Sequence, residues 1–153
     1  MSKLNVLVCG STGYIGLQLI KILQNHKKII IKYLCGNSSV GKKVSHYDKS
    51  INDNNLPKIT RFNKKYLKDV DIIFTALPNG ESQKISNYLL NNNLLIDLSA
   101  DFRLKNPNDY YKWYKLKHQA KHLIKKTIYS IPELKKDKIA KYKIISSPGC
   151  YPA

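Results

Sequence analysis

The chain has 153 residues, 42% of them hydrophobic, and a formal net charge of +17 at pH 7. That length and apolar share suit one globular domain with a real core, and no apolar run reaches the roughly 20 residues of a membrane span. Of the 27 basic residues only Arg61 and Arg103 are arginine, and the lysines are scattered over every segment. The charge therefore predicts weak attraction to polyanions and no specific nucleic-acid partner.

Met1-Ser2-Lys3 leads straight into an apolar stretch, which leaves no room for a signal peptide. Leu4–Cys9 is β-branched and apolar and reads as a first strand ending at Gly10. Tyr14–Leu23 carries Ile15, Leu19, Ile20 and Leu23 at the spacing of a helix face. Ile29–Cys35 is a second strand, and the polar stretch 36–55 a long loop with room for one short strand. Lys58–Arg61 reads as a short strand, and Asp71–Leu77 as a buried one stopped by Pro78-Asn79-Gly80. A helix over Glu81–Leu90 and a strand over Leu94–Leu98 follow. Tyr110–Lys125 is aromatic and basic with irregular helical character, and Lys143–Ser146 is a last strand before Pro148-Gly149. This alternation predicts an α/β fold: a Rossmann-type, doubly wound, mostly parallel sheet with right-handed crossovers. In such sheets ligands lie beyond the C-terminal strand ends. Gly10, Gly36, Pro78, Ser99 and Cys150 all follow strands in this way.

Gly10, Gly13 and Gly16 lie between a strand and an amphipathic helix. Gly10 suits a tight turn, Gly13 close approach of backbone to a pyrophosphate, and Gly16 packing of helix on strand, as in a dinucleotide-binding loop. NAD sites place an acid about 20 residues further on, for the ribose 2′-OH. This chain instead has Gly36, Asn37, Ser38 and Ser39, then Lys42 and Lys43, with no acid before Asp48. Hydroxyls and ammonium groups accept a 2′-phosphate that a carboxylate would repel, so NADP(H) is the expected cofactor; the competing reading is a solvated loop.

The cysteines are Cys9, Cys35 and Cys150, without metal-ligand spacing, which predicts reduced thiols in the cytoplasm and no metal site. Cys9 and Cys35 end apolar runs and read as small core hydrophobes. Cys150 follows a Pro-Gly turn that leads toward a helix N-terminus, where a thiolate is favoured, and reads as a nucleophile. Asp97, Ser99, Asp101 and Arg103 form a polar cluster after a buried strand. Two readings stay open there: mutual support of the loop through Asp101 and Arg103, or Arg103 as an anchor for a phosphate or carboxylate. His26, His46, His118 and His122 have no carboxylate nearby in sequence and read as solvated.

With these residues laid out, the chain resembles the N-acetyl-gamma-glutamyl-phosphate reductase family, among the relatives of aspartate-semialdehyde dehydrogenase. Gly10-Ser11-Thr12-Gly13-Tyr14-Ile15-Gly16 is similar to that family's cofactor loop, and Ala76-Leu77-Pro78-Asn79-Gly80 to its second cofactor-contacting turn. Asp97-Leu98-Ser99-Ala100-Asp101-Phe102-Arg103, Tyr129-Ser130-Ile131-Pro132-Glu133-Leu134 and Ser147-Pro148-Gly149-Cys150-Tyr151-Pro152 resemble three further family segments. The sequence departs from the pattern at Asn37, where many members carry arginine, at Asn79, often histidine, and at Ala153, usually threonine.

The resemblance implies an NADPH-dependent enzyme of arginine biosynthesis that reduces N-acetyl-gamma-glutamyl phosphate through a thioester on Cys150. It implies cofactor contacts from the glycine loop, residues 37–39, Lys42, Leu77 and Pro78, and substrate contacts from Ser99 and Arg103. Because the family's chains are more than twice as long, it also implies that residues 1–149 are the nucleotide domain. Residues 150–153 would then begin an α+β substrate domain, otherwise absent together with its catalytic histidine, through which the full-length enzyme forms a homo-oligomer. Aspartate-semialdehyde dehydrogenase, a reductase of carrier-bound aminoadipyl phosphate, and a non-catalytic NADP-binding module remain as alternatives.

Overall fold

The computed structural model describes residues 2–150, the side chains of 135–137 excepted. It contains seven strands and four α-helices and divides into two compact units, residues 1–76 and 77–153. Every strand pairing described within the units is parallel.

In the first unit the strands are β1 (Leu4–Cys9), β2 (Ile29–Cys35), β3 (Ile59–Thr60) and β4 (Ile72–Thr75), in the spatial order β3-β2-β1-β4. The chain therefore winds outward from β1 to β3 and returns to the other side of β1 at β4. That reversal makes the C-terminal end of β1 a topological switch point, where open α/β sheets bind ligands. β1 is central and covered on both faces: Val6, Leu7 and Val8 are fully buried, which explains a continuous apolar run instead of alternation. Helix α1 (Tyr14–Leu23) links β1 to β2 and buries Gly16, Ile20 and Leu23. Ile15, expected on the inner face, is 52% exposed. The polar stretch after β2 is a loop closed by a 3-10 turn at Val44–His46. Val44 and Ile51 anchor it in the core.

In the second unit β5 (Leu94–Asp97), β6 (Thr127–Tyr129) and β7 (Ile144–Ser146) lie in the order β5-β7-β6. Helix α2 (Glu81–Ser86) stops four residues earlier than its apolar content suggests. The segment 110–125 resolves into helix α3 (Pro107–Tyr114) and a 3-10 turn at Lys121–Lys126. Asn106 starts α3 as its N-cap, accepting from the Asn108 N–H with Pro107 at the first position. Lys115 ends it at φ 58, in the left-handed region. Strand β6 and helix α4 (Pro132–Ile139) were not expected from the sequence.

Candidate nucleotide and thiol sites

In the first unit, Gly10 leaves β1 with φ +84, a left-handed conformation that favours glycine. The N–H groups of Gly10 and Ser11 donate to the carbonyl of Cys35 at 3.0 and 3.1 Å, and Ser11 Oγ donates to the same oxygen at 3.1 Å. The end of β1 is thus stitched to the end of β2. Gly16 fits where a side chain cannot: a Cβ there would lie 2.0 Å from the Gly10 carbonyl oxygen. At Gly13 the corresponding distance is an ordinary 3.6 Å. Gly13 caps α1 without a side-chain hydrogen bond, and the first turn of α1 holds no acid, so that turn's N–H groups suit an anion. Thr12 is half-buried, and Tyr14 is 80% exposed.

The second loop lies against the first. A Cβ on Gly36 would come 2.5 Å from Ser39 Oγ and 3.8 Å from Ser11 Oγ. Ser39 is buried, and its hydroxyl has no hydrogen-bond partner. Asn37, Ser38, Lys42 and Lys43 are exposed, and Lys42 Nζ lies 5.8 Å from the Tyr47 ring centroid. Asp48, the first acid after β2, turns to α1 instead, with Lys21 Nζ 2.7 Å from its carboxylate. Hydrogen bonds from Lys21 and Ser50 lower its carboxyl pKa to about 2. A glycine cradle that a Cβ would fill, an uncapped acid-free helix start and an unpartnered buried hydroxyl together fit a nicotinamide dinucleotide.

In the second unit the organising group is Asp101, fully buried. Its carboxylate accepts from Gly80 N–H at 2.6 Å, Tyr110 Oη at 2.7 Å and Gln83 N–H at 3.1 Å. It thereby fixes the turn after Leu77 and Pro78, which are half-buried and exposed respectively. Gly80 holds that turn at φ +89. Burial, followed by the hydrogen bond to Asp101, raises the Tyr110 phenol pKa.

Arg103 turns to two backbone carbonyls. Its Nε donates to the Ser147 carbonyl at 3.0 Å and its Nη2 to the Leu98 carbonyl at 3.2 Å. The guanidinium therefore ties the segment after β5 to the one after β7, three residues before Cys150. Ser99 is buried, and its hydroxyl donates to Asp97 at 2.8 Å and accepts the Asp101 N–H at 3.2 Å. Cys150 is exposed, whereas Cys9 and Cys35 are each 2% exposed. Brief alkylation at pH 7 is expected to label Cys150 first and to reach the other two only on unfolding. Peptide mapping that finds Cys9 or Cys35 labelled first would contradict these placements. Tyr151, Pro152 and Ala153 lie outside the described residues.

His118 corrects the expectation of solvated histidines, although His26, His46 and His122 are indeed exposed. It is 3% exposed, with Nε2 2.9 Å from the Asp101 carbonyl and Nδ1 accepting the Ala120 N–H at 3.2 Å. These bonds fit the neutral ring protonated at Nε2. No local sequence signal announces this, because Asp101 is 17 residues away. Burial lowers the His118 pKa, so the unfolded chain binds its proton more readily than the folded one. Stability should then fall as pH drops below about 6.5 toward the depressed folded value. Melting temperatures between pH 7.5 and 5.5 test this, with His118→Asn expected to flatten that part of the profile.

Among the described residues no helix is long and apolar enough to cross a membrane, and no cluster of three or more His, Cys, Asp or Glu could hold a metal. The semialdehyde dehydrogenase NAD-binding domain family matches residues 5–142. An N-acetyl-gamma-glutamyl-phosphate reductase of Brachyspira hyodysenteriae is 41% identical over 97% of the chain, which covers 44% of that protein. The enzyme of the same name from Ehrlichia ruminantium strain Gardel is 38% identical, with 97% of the chain and 43% of the relative covered. The chain thus spans less than half the length of these relatives. In fold it is similar to aspartate semialdehyde dehydrogenase II of Vibrio cholerae, with TM-score 0.63 and 19% identity over 98% of this chain and 39% of that one. The Candida albicans enzyme with NADP gives 0.60 and 17% over 95% and 42%. The Rossmann-type fold, the glycine cradle after β1 and the family match agree, and the chain belongs to the semialdehyde dehydrogenase family through its NAD-binding domain.

Proposed function

We propose that this chain is the nucleotide-binding part of an N-acetyl-gamma-glutamyl-phosphate reductase in arginine biosynthesis. The observation that carries the chemistry is the exposure of Cys150 just past β7, beside the segment latched by Arg103, while the other two thiols are buried. The relatives at about 40% identity supply the substrate class. The Cys150 thiolate attacks the acyl carbon and inorganic phosphate leaves, giving a thioester. The bound nicotinamide would supply the hydride that reduces the acyl group. Expulsion of Cys150 then releases N-acetyl-glutamate semialdehyde.

Residues Gly10–Gly16 would hold the pyrophosphate, and Asn37, Ser38, Ser39 and Lys42 the adenosine 2′-phosphate of NADP(H), with Leu77 and Pro78 lining the cofactor. Two of Arg103's N–H groups are used by carbonyls, and those remaining would anchor the substrate's phosphate or carboxylate beside Ser99. Residues 1–149 would be the nucleotide domain and residue 150 the start of a substrate domain. That domain would supply the catalytic histidine and the contacts of a cytoplasmic homo-oligomer.

Titration with NADPH and NADH at one ionic strength should give tighter NADPH binding; equal affinity or tighter NADH would sink the cofactor assignment. The intact enzyme that carries this domain should reduce the acyl phosphate and lose that activity on Cys150→Ser. Residues 1–153 alone should bind cofactor without turnover, because the acid–base histidine of this mechanism is assigned to the substrate domain. Turnover by them alone would place the acid–base group within this chain.

A further inference from the structure

Cys9 and Cys35 are the last residues of β1 and β2, and they are direct register partners. That alignment depends on an irregularity upstream. Val6 pairs with Ile31, but Leu7 pairs with Tyr33, so β2 carries one extra residue at Lys32. Without that bulge Cys9 would face Leu34, and the thiols would not meet. Partners on adjacent strands present their side chains on one face, with Cα atoms about 4.8 Å apart. That lies within the range of about 4.4–6.8 Å spanned by disulfides. Both thiols are free, and each shifts the pKa of the other, as close neighbours do.

We propose that Cys9 and Cys35 form a dithiol that a hydroperoxide closes into a reversible disulfide, and that closing it weakens nucleotide binding at the adjoining loops. Cys35 is the more acidic of the two thiols. Hydrogen bonds from Cys9 and Thr60 lower its pKa, whereas the bond to Cys35 and burial raise that of Cys9. The Cys35 thiolate attacks one peroxide oxygen, the O–O bond breaks, and Cys35 sulfenic acid forms as hydroxide leaves. Cys9 then displaces the sulfenic oxygen as water; the sulfur pair has lost two electrons and the peroxide has gained them. Burial slows entry of the oxidant, so the reaction proceeds through local opening of the strand ends. A disulfide also needs Cβ atoms about 3.8 Å apart, closer than a strand pair ordinarily holds them, which makes the bond strained and readily reduced by dithiols.

The effect on binding follows from what the cysteines carry, and this half of the proposal rests on the dinucleotide reading. Gly10 and Gly36 are their immediate successors, and Gly10 N–H, Ser11 N–H and Ser11 Oγ all donate to the Cys35 carbonyl. Drawing the two sulfurs together displaces both loops at once.

The test uses the 153-residue protein and its Cys150→Ser variant, which removes the competing thiol. Each is reduced, exposed to hydrogen peroxide, quenched with N-ethylmaleimide and mapped without reduction. A peptide carrying Cys9 linked to one carrying Cys35, released by dithiothreitol, is the expected product in both. Recovery of both thiols unlinked, their over-oxidation without linkage, or linkage only to Cys150 would overturn the pair. NADPH titration of the linked protein should show a several-fold weaker affinity that dithiothreitol restores, and equal affinity would overturn the effect on binding. If the reduced protein fails to bind NADPH, the cofactor reading and with it the effect on binding fall, while the peptide map still decides the pair.

Discussion

Gly16→Ala is expected to disable the glycine loop both as structure and as a binding site. Its new methyl would meet the carbonyl oxygen of Gly10 at 2.0 Å, the carbonyl carbon at 2.9 Å and Ser11 Cα at 3.1 Å. All three are backbone atoms, so no side chain can swing away. The turn after β1 must shift, straining the bonds from Gly10 and Ser11 to the Cys35 carbonyl. Overpacking of this kind costs about 1–3 kcal/mol, read as a lower urea midpoint, with nucleotide binding lost alongside. Gly13→Ala separates the two effects. Gly13 has φ −74, and its Cβ would lie 3.6 Å from Gly10 O, so stability should change by no more than about 1 kcal/mol, the usual cost of losing a favoured N-cap residue. Its nucleotide affinity should nevertheless fall at least tenfold, because the methyl occupies the space a pyrophosphate needs. A Gly13→Ala variant that binds NADPH as tightly as the parent would show that the loop is a structural turn. A Gly16→Ala variant as stable as the parent would contradict the packing of α1 on the end of β1.

The elements that sequence reasoning located well are those whose burial is continuous or periodic within the segment itself. Leu4–Cys9, Tyr14–Leu23 and Ile29–Cys35 have the expected bounds, because an apolar run ended by Gly10 and a helix face behind Gly13 are local patterns. Strand β6 escaped because Thr127–Tyr129 is three residues long and acquires its identity from pairing with β7. Helix α4 escaped because Pro132–Ile139 has no apolar stripe; a proline at its first turn and Glu133 behind it are its only local signals. The site divides in the same way. Gly10, Gly13 and Gly16 announce themselves by spacing and Cys150 by the Pro-Gly turn before it, whereas the partners of Arg103 and His118 are set by tertiary packing. Arg103 reaches Ser147 across 44 residues, and His118 reaches back to Asp101 across 17. Opposite charges two residues apart suggest a pair, yet Asp101 and Arg103 turn to different partners.

Asp101 should be the most costly polar residue to replace. Its side chain is fully buried and accepts from a phenol and two backbone N–H groups, and its own carbonyl meets His118 Nε2. Asp101→Ala would strand the Gly80 and Gln83 N–H groups and the Tyr110 hydroxyl in the interior. Asp101→Asn keeps the volume but turns an amide NH2 toward a donor, so at least one contact becomes donor against donor. Leaving buried polar groups unpaired costs about 1–3 kcal/mol each, so Asp101→Ala, which strands three of them, should lower stability by at least about 3 kcal/mol, and Asp101→Asn by somewhat less. Tyr110→Phe removes one donor and leaves the carboxylate its two backbone partners, for an expected loss of about 1–2 kcal/mol. Urea unfolding of the single variants and of Asp101→Asn with Tyr110→Phe completes a double-mutant cycle. The two losses should be less than additive, because the second substitution removes a partner already lost. Additive losses would mean that the Tyr110 hydroxyl contributes independently of Asp101. A near-neutral Asp101→Asn would mean that the turn at Pro78-Asn79-Gly80 is held by something other than this carboxylate.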